Sequence, residues 1–143
     1  MKKQIHIGFT GTRMGMTILQ RAEFIDVMFR YINVYSEENI TFHHGSCIGA
    51  DAEAHKFALK LCIPIHVHPC NIPEKTSICE GAHITHPQKP PLERNIDIVQ
   101  ASDLIIACPC SRQEVIRSGT WHTVRQARKK DGMIIQIIWP IGE

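Results

Sequence analysis

The sequence predicts an α/β fold, a Rossmann-like parallel sheet of about five strands with helices on both faces. Strand-like and helix-like segments alternate five times along the 143 residues, the order that a parallel sheet needs. The last two strand-like runs are apolar almost throughout, as in strands that are covered on both faces. We expect one domain over residues 1–143.

The first unit begins with a β-rich run over residues 4–9, which ends in a turn-rich segment over residues 10–17. Thr17 and Gln20 have the spacing of a capping box, so a helix should begin near Thr17. Apolar residues then recur at steps of three and four, which places them on one face of that helix. The predicted buried face consists of Ile18, Ala22, Ile25, Phe29 and Ile32.

The second unit has a strand over residues 40–44, a glycine-rich turn and a helix that begins at Asp51. Residues 62–67 are predicted to be a third strand. Residues 68–92 hold five prolines, too many for a continuous helix. We therefore predict a long loop there, serving as a lid or as a partner surface.

The remaining segments are a short helix after Leu92, a strand over residues 103–108, a helix capped by Ser118 and a last strand over residues 133–139. Right-handed crossovers give the strand order 3-2-1-4-5. In such a sheet a ligand binds outside the carboxyl ends of the strands, where the order reverses.

Composition and charge exclude several classes of protein. Hydrophobic residues make up 43% and charged residues 21%, which excludes a disordered or a fibrous chain. A net charge of +2 gives no case for nucleic-acid or membrane binding over the whole surface. No apolar run approaches the roughly 20 residues of a membrane span. We expect a cytoplasmic protein whose six cysteines are reduced.

Three loops predict a site for an anion. They cover residues 10–13, 45–49 and 108–120, are rich in glycine and hydroxyl side chains, and each opens a helix. Free N–H groups and helix dipoles at such junctions can converge on a phosphate. Arg13 can add a charge-assisted hydrogen bond. Taken singly, each loop can also be an ordinary turn between a strand and a helix.

Four motifs lie on or beside these loops in a fixed order. Residues 7–13 (IGFTGTR) form a strand with a glycine-hydroxyl-arginine turn, and residues 45–55 (GSCIGADAEAH) follow the pattern G-x-x-x-G-x-D-x-x-A-H. Arg94 and Asn95 form a pair, and residues 118–120 (SGT) begin the last helix. Together they resemble the SLOG superfamily, a Rossmann-like group that includes the DNA-processing protein A fold and the LOG-type cytokinin phosphoribohydrolases. The resemblance spans nearly the whole chain.

The resemblance implies a small phosphorylated nucleotide or a nucleotide-derived ligand, NAD-derived or cyclic, that the protein senses or sequesters. It also implies a homo-oligomer, which the apolar edges of the sheet favour. We predict no catalytic residue, metal or cofactor. The predicted ligand-binding residues are Gly11, Thr12, Arg13, Gly45, Ser46, Gly49, Asp51, Arg94, Asn95, Ser118, Gly119 and Thr120.

Two alternative functions stay open. LOG-type hydrolases carry the motif P-G-G-x-G-T-x-x-E, but Thr123 stands at the glutamate position here and cannot act as a carboxylate base. A nucleotide N-glycosidase would therefore need another carboxylate. Binding of single-stranded DNA would need aromatic platforms, yet aromatic residues make up only 6%, and the cations within residues 125–130 complement a helix dipole. The candidate carboxylates are Asp51, Glu53, Glu93 and Asp97.

Several residues have both a structural and a functional interpretation. Asp51 can cap its helix or bind a ribose hydroxyl, and His55 can pack in the core or approach the ligand. Arg94, near a helix start where a cation is unfavourable, is explained by an anionic partner. Trp121 can be a core anchor or a surface for stacking a base. The histidines and cysteines within residues 66–86 fit no known zinc spacing, so we interpret this segment as an ordinary loop.

Overall fold

A sheet of six parallel strands forms the centre of the computed structural model, which describes residues 3–141. Helices α1 and α2 cover one face of the sheet, and α3 and α4 cover the other. The strands are β1 (Ile5–Gly11), β2 (Ile40–His44), β3 (Ile65–Val67), β4 (Ile84–Thr85), β5 (Leu104–Cys108) and β6 (Ile134–Ile137). The helices are α1 (Ile18–Tyr35), α2 (Ala50–Lys60), α3 (Pro91–Ala101) and α4 (Gly119–Arg128).

The strand order is β4-β3-β2-β1-β5-β6, which confirms the predicted fold class and adds one strand at an edge. The added strand, β4, lies within the predicted long loop and pairs with His66 and Val67 of β3. This strand has only two residues, both exposed, which is too few to show an alternation of buried apolar and exposed polar side chains in the sequence. The other strands keep the predicted relative order.

Helix α1 begins as predicted but buries a different face. Thr17 is its N-cap, and the capping box with Gln20 is present. The predicted face is wrong, because Ile18 is 86% exposed, and Ile32 alone of its five residues is buried. The Gln20 amide fixes the helix, since it donates to the carbonyl oxygens of Pro109 (2.7 Å) and Ile138 (2.9 Å). The buried residues are Gln20, Phe24, Val27, Met28 and Ile32.

The order in which strands are added to the sheet reverses at β1, since β2 to β4 lie on one side of it and β5 and β6 on the other. The chain passes from β1 to α1 on one face and from β5 to α4 on the other, so a crevice forms at the carboxyl ends of β1 and β5. At the far edge, Ile134 of β6 is 59% exposed. This apolar edge is the feature behind the expected homo-oligomer, which stays a prediction. Within residues 3–141 no helix is long and apolar enough to cross a membrane.

Five histidines, here called the histidine cluster, pack on the face of the sheet that also carries α3. The Nδ1 atom of His6 lies 2.9 Å from Nε2 of His43, whose Nδ1 lies 3.0 Å from Nε2 of His68. The His68 ring stacks on His86 at 4.2 Å between centroids, and His86 contacts His66. Burial and the neighbouring imidazoles lower the pKa of His43 to about 2 and that of His68 to about 4.

Candidate functional site

A cavity of about 610 Å³ opens at the carboxyl ends of β1, β2 and β5. All three predicted loops line it, and the start of α3 and Lys75 complete the wall. Its volume lies within the range of small-molecule sites.

Ten of the twelve predicted ligand-binding residues line this cavity. Ser46 and Gly49 do not: Ser46 faces the segment after β3, where its Oγ donates to the Ser77 carbonyl at 2.8 Å, and Gly49 packs under the Thr12 and Arg13 carbonyl oxygens. The ten that line it are Gly11, Thr12, Arg13, Gly45, Asp51, Arg94, Asn95, Ser118, Gly119 and Thr120.

The N-terminus of α1 lies away from the cavity, and the first N–H of α2 is used within the protein. The N-cap of α1, Thr17, donates its Oγ1 hydrogen to the Pro140 carbonyl, away from the cavity wall. In α2, the first N–H, that of Ala50, donates to the Thr12 carbonyl at 3.0 Å. The expected convergence of three helix dipoles is therefore wrong, because α1 begins away from the cavity and the Thr12 carbonyl oxygen accepts from the first N–H of α2.

The N-terminus of helix α4 faces the cavity and has free N–H groups. Ser118 is its N-cap, as predicted, and accepts a hydrogen bond from the Trp121 N–H at 3.3 Å. The N–H groups of Gly119 and Thr120 have no hydrogen-bond acceptor within residues 3–141. A Cβ at Gly119 would meet nothing within 4 Å, so this turn is open to a ligand.

The glycines of the other two loops serve packing within the protein. A Cβ at Gly11 would lie 2.5 Å from the Cβ of Ala50, so this glycine lets β1 and α2 approach each other. A Cβ at Gly45 would collide with the Arg94 guanidinium. At these two positions the glycine is needed for close packing rather than for a turn, since Gly11 is the last residue of β1 and neither glycine has a positive φ.

Arg94 is buried, and the protein's own oxygens occupy most of its donors. Its Nη1 donates to the carbonyl oxygens of Gly45 and His68, and its Nε donates to Asn95 Oδ1 at 2.9 Å. These acceptors are neutral and do not supply the anionic partner expected from the helix dipole, which stays a prediction. The charge still faces the cavity, because Arg94 lies in its wall beside Cys47, whose Sγ accepts from Nη2 at 3.6 Å.

Asp51 does not cap α2, which begins one residue earlier with Gly49 as the N-cap. Its Oδ2 accepts from the N–H groups of Gly45 (3.1 Å) and Cys47 (3.2 Å), which fixes the loop after β2. Its Oδ1 is buried and has no hydrogen-bond partner. Burial raises the pKa of Asp51 to about 6, against the opposing effect of the Arg94 charge.

Three further cations lie in the wall: Arg13, Lys75 and Arg117. None of their side chains forms an ion pair with another residue in the range 3–141. With Arg94 they face a single cavity carboxylate, that of Asp51, so the cavity carries an excess of positive charge. No motif predicted a binding role for Lys75 or Arg117, although Arg117 lies within the predicted loop over residues 108–120.

Lys75 reaches the cavity because the segment over residues 73–80 is bound to the loop after β2. The Ile48 N–H donates to the Lys75 carbonyl at 3.2 Å, and the Ser77 N–H donates to the Ser46 carbonyl at 2.7 Å. A chain of imidazoles binds the end of the same segment. It runs from the Ser46 N–H through His44 and His55 to the Glu80 carbonyl.

The direction of that chain sets the tautomers. His44 Nδ1 accepts from the Ser46 N–H at 2.9 Å, so a neutral His44 carries its proton on Nε2 and donates to His55 Nδ1 at 2.9 Å. Burial lowers the pKa of His44 to about 3, which keeps it neutral. Within residues 3–141, His44, His55 and Cys79 are the one group whose donor atoms converge as metal ligands do. The proton on His44 Nε2 leaves that atom no lone pair for a metal, so the group fits a hydrogen-bond chain better.

Of the four candidate carboxylates only Asp51 lines the cavity. Glu53 accepts from the Met16 N–H at 2.7 Å and pairs with Arg21, and Asp97 pairs with Lys89 at 2.7 Å. The threonine at the LOG glutamate position, Thr123, donates its Oγ1 hydrogen to the Gly119 carbonyl at 3.1 Å.

Three of the four basic residues within residues 125–130 have side-chain partners within the protein. Arg125 and Arg128 pair with Glu114 at 3.1 and 3.0 Å. Lys130 donates to three carbonyl oxygens at the end of α3, those of Val99, Gln100 and Ser102. Trp121 is among the cavity-lining residues but is only 3% exposed and packs on Ala107 and Val124, so it is mainly a core residue.

Two solved structures share this architecture. A molybdenum cofactor binding protein from the phototrophic bacterium Rippkaea orientalis matches with a TM-score of 0.64 and 19% identity, over 94% of this chain and 77% of that chain. The structural genomics target TM1055 matches with a TM-score of 0.54 and 10% identity, over 89% of this chain and 68% of that chain. The chain matches no protein-family profile and no curated protein sequence. At these identities the likeness shows the fold, a parallel sheet flanked by helices.

Proposed function

We propose that the protein binds a small phosphorylated nucleotide or nucleotide-derived molecule in this cavity, as a sensing or sequestering protein of the SLOG type. The observation that carries the proposal is the charge of the wall, where four cations face one carboxylate beside an open helix N-terminus. A phosphate satisfies both the cations and the free N–H groups of α4.

Two further observations support the proposal. Each SLOG-like motif contributes residues to the cavity wall, and of the twelve predicted ligand-binding residues only Ser46 and Gly49 do not line it. A protein of the same fold is described as binding the molybdenum cofactor, so this fold accommodates a small cofactor. That cofactor therefore belongs among the candidate ligands.

Calorimetry with a panel of ligands tests the proposal. The panel contains nucleoside monophosphates, a cyclic nucleotide, NAD, ADP-ribose and the molybdenum cofactor, and mass spectrometry identifies any small molecule that denatured protein releases. We expect one class to bind with a Kd below millimolar, and Arg117→Ala to weaken it about tenfold or more, because a charged hydrogen bond contributes roughly 1.5 to 3 kcal/mol. Arg30→Ala, an exposed arginine on α1, is the control. Absence of binding by every member, with no released molecule, overturns the proposal.

One observation favours a second candidate, a nucleotide N-glycosidase. Asp51 is a buried carboxylate in the cavity with a raised pKa, which is a property of catalytic acids and bases. Chromatography after incubation with nucleoside monophosphates or NAD decides between the two. Free base that forms with the wild type and not with Asp51→Asn would establish the hydrolase, whereas intact ligand retained by the protein supports simple binding.

A further inference from the structure

Two histidines of the histidine cluster lie at the edge of the sheet, apart from the cavity. His66 belongs to β3 and His86 follows β4, and both side chains are half-buried. Neither residue lines the cavity. The two strands pair in parallel, with His66 opposite Ile84, and the His86 N–H donates to the Val67 carbonyl at 2.8 Å. Because side chains alternate along a strand, this pairing places both imidazoles on the same face of the sheet.

The spacing of the two rings differs from that of the other imidazole contacts in the cluster. His66 Nδ1 lies 3.3 Å from His86 Nε2, whereas the hydrogen-bonded contacts along His6, His43 and His68 measure 2.9 and 3.0 Å. Two nitrogens that bind one Zn²⁺ at about 2.0 to 2.1 Å, with a tetrahedral angle between them, lie about 3.3 Å apart. The pair therefore has the spacing of two ligands to a single ion.

Both facing nitrogens can offer a lone pair. Within residues 3–141 no hydrogen bond fixes the other ring nitrogen of either residue, so each neutral ring can carry its proton on His66 Nε2 or His86 Nδ1. The group that contains His44 differs in this respect, because the Ser46 N–H directs the His44 proton onto the nitrogen that a metal would need. That group has three donor atoms but lacks a free lone pair, whereas the edge pair has two donors that are both available.

Neighbouring imidazoles hold the two rings in place. The His86 ring stacks on His68 at 4.2 Å between centroids with an interplanar angle of 12°, and the His66 ring packs edge-on against His43 at 4.9 Å. Ligands whose orientation is already held by packing lose little side-chain freedom when an ion binds.

We propose that His66 and His86 bind one divalent transition-metal ion of the Zn²⁺ type through Nδ1 and Nε2, with water in the remaining positions. The ion would link β4, an edge strand of two residues, to β3. This site goes beyond the proposed function and does not depend on it, since the pair lies outside the cavity. No metal was expected from the sequence, because strand pairing rather than a short spacing brings the two histidines together.

Calorimetry with Zn²⁺, on protein freed of metal by a chelator, tests the proposal. The wild type should bind one ion with a Kd below roughly 100 µM, and the ion should raise its Tm, because a ligand of the folded state stabilises it. His66→Ala and His86→Ala should each weaken binding about tenfold or more and abolish the rise in Tm. His122→Gln, which replaces a half-buried histidine of α4 outside the cluster, is the matched control and should bind as the wild type does.

Two further measurements separate this site from the cysteines. Alkylation of the exposed thiols of Cys62 and Cys110 removes competing ligands and should leave the affinity unchanged. Cys79→Ser, which removes the thiol of the group around His44, should also keep it. A wild-type Kd above roughly 100 µM overturns the proposal, and this result needs no variant to fold. Wild-type affinity in a folded His66→Ala or His86→Ala, as judged by its thermal unfolding without metal, also overturns it, as does loss of binding after alkylation or in Cys79→Ser.

Discussion

Arg13 and Arg94 carry the same charge in the same cavity wall, but their surroundings give them different roles. Arg94 is buried and holds two backbone carbonyls from different segments, while Arg13 is exposed and has no ion pair in the part of the chain that the structure describes. Arg94 therefore stabilises the site, and the Arg13 side chain is free to bind a ligand.

Their alanine variants should therefore differ in two measurements. Arg94→Ala leaves the Gly45 and His68 carbonyls unpaired inside the protein, so we expect the free energy of unfolding to fall by about 2 to 4 kcal/mol. Arg13→Ala should change it by less than about 0.5 kcal/mol and weaken binding of the phosphorylated ligand. Urea unfolding and calorimetry measure both effects. Equal losses of stability would contradict these separate roles.

At the scale of elements, the glycines at two junctions between a strand and a helix have different roles. Gly11 lets the end of β1 approach α2, whereas Gly119 opens the first turn of α4 to the cavity. The two positions thus separate a packing role from a binding role.

Adding one methyl group at each position tests this difference. Gly11→Ala should lower the free energy of unfolding by about 1 to 3 kcal/mol, because its Cβ would overlap Ala50. Gly119→Ala should raise it by about 0.4 to 1 kcal/mol, since the position has room and alanine restricts the unfolded chain. The same methyl group should weaken ligand binding at the N–H groups of α4. Thermal unfolding and calorimetry give the result, and a stable Gly11→Ala would sink the packing role.

The sequence predicted a loop over residues 73–80 but not the contribution of this loop to the cavity wall. The five prolines of residues 68–92 predicted a loop, and residues 73–80 within it are irregular apart from a 3-10 turn over Pro73–Lys75 and an isolated bridge between Thr76 and Cys47. Hydrogen bonds to Ser46, Ile48 and His55 hold it against the site and bring Lys75 to the cavity. These contacts join residues about 25 to 31 positions apart, so no local pattern contains them.

The whole molecule holds an unusual number of buried neutral histidines. His43, His44 and His68 have pKa values lowered to about 2, 3 and 4 by burial, against 6.5 in the unfolded chain. Below about pH 6.5 the unfolded chain binds protons that the folded protein does not, so acid favours unfolding. Asp51 acts in the opposite sense, because its raised pKa lets the folded protein bind a proton that the unfolded chain lacks between pH 6 and 4.

For these four groups the net difference is about two protons, so together they should lower the free energy of unfolding by roughly 3 kcal/mol for each pH unit between pH 6 and 5. Urea unfolding at pH 7, 6 and 5 measures it. His43→Gln removes one of the titrating groups and should reduce the slope by about 1.4 kcal/mol per pH unit. Gln100→Ala, which changes an exposed side chain of α3 that does not titrate, is the control and should leave the slope unchanged. A stability that is flat or rises toward pH 5 would refute this account.

Sequence patterns alone predict the order of the elements other than β4, the start of α1 at Thr17, the cap of α4 at Ser118 and the edge of the sheet where the loops meet. Hydrophobic periodicity, caps and right-handed crossovers are local or topological rules, and each depends on residues near one another in the chain. The tertiary structure alone decided the buried face of α1, strand β4, the histidine cluster and the neutral partners of Arg94. Each of these follows from contacts between distant residues, such as Arg94 with Gly45, 49 positions away. The hydrogen-bond partners of a buried polar atom depend on which distant residues pack around it. The sequence therefore could not predict that Asp51 Oδ1 lacks a partner.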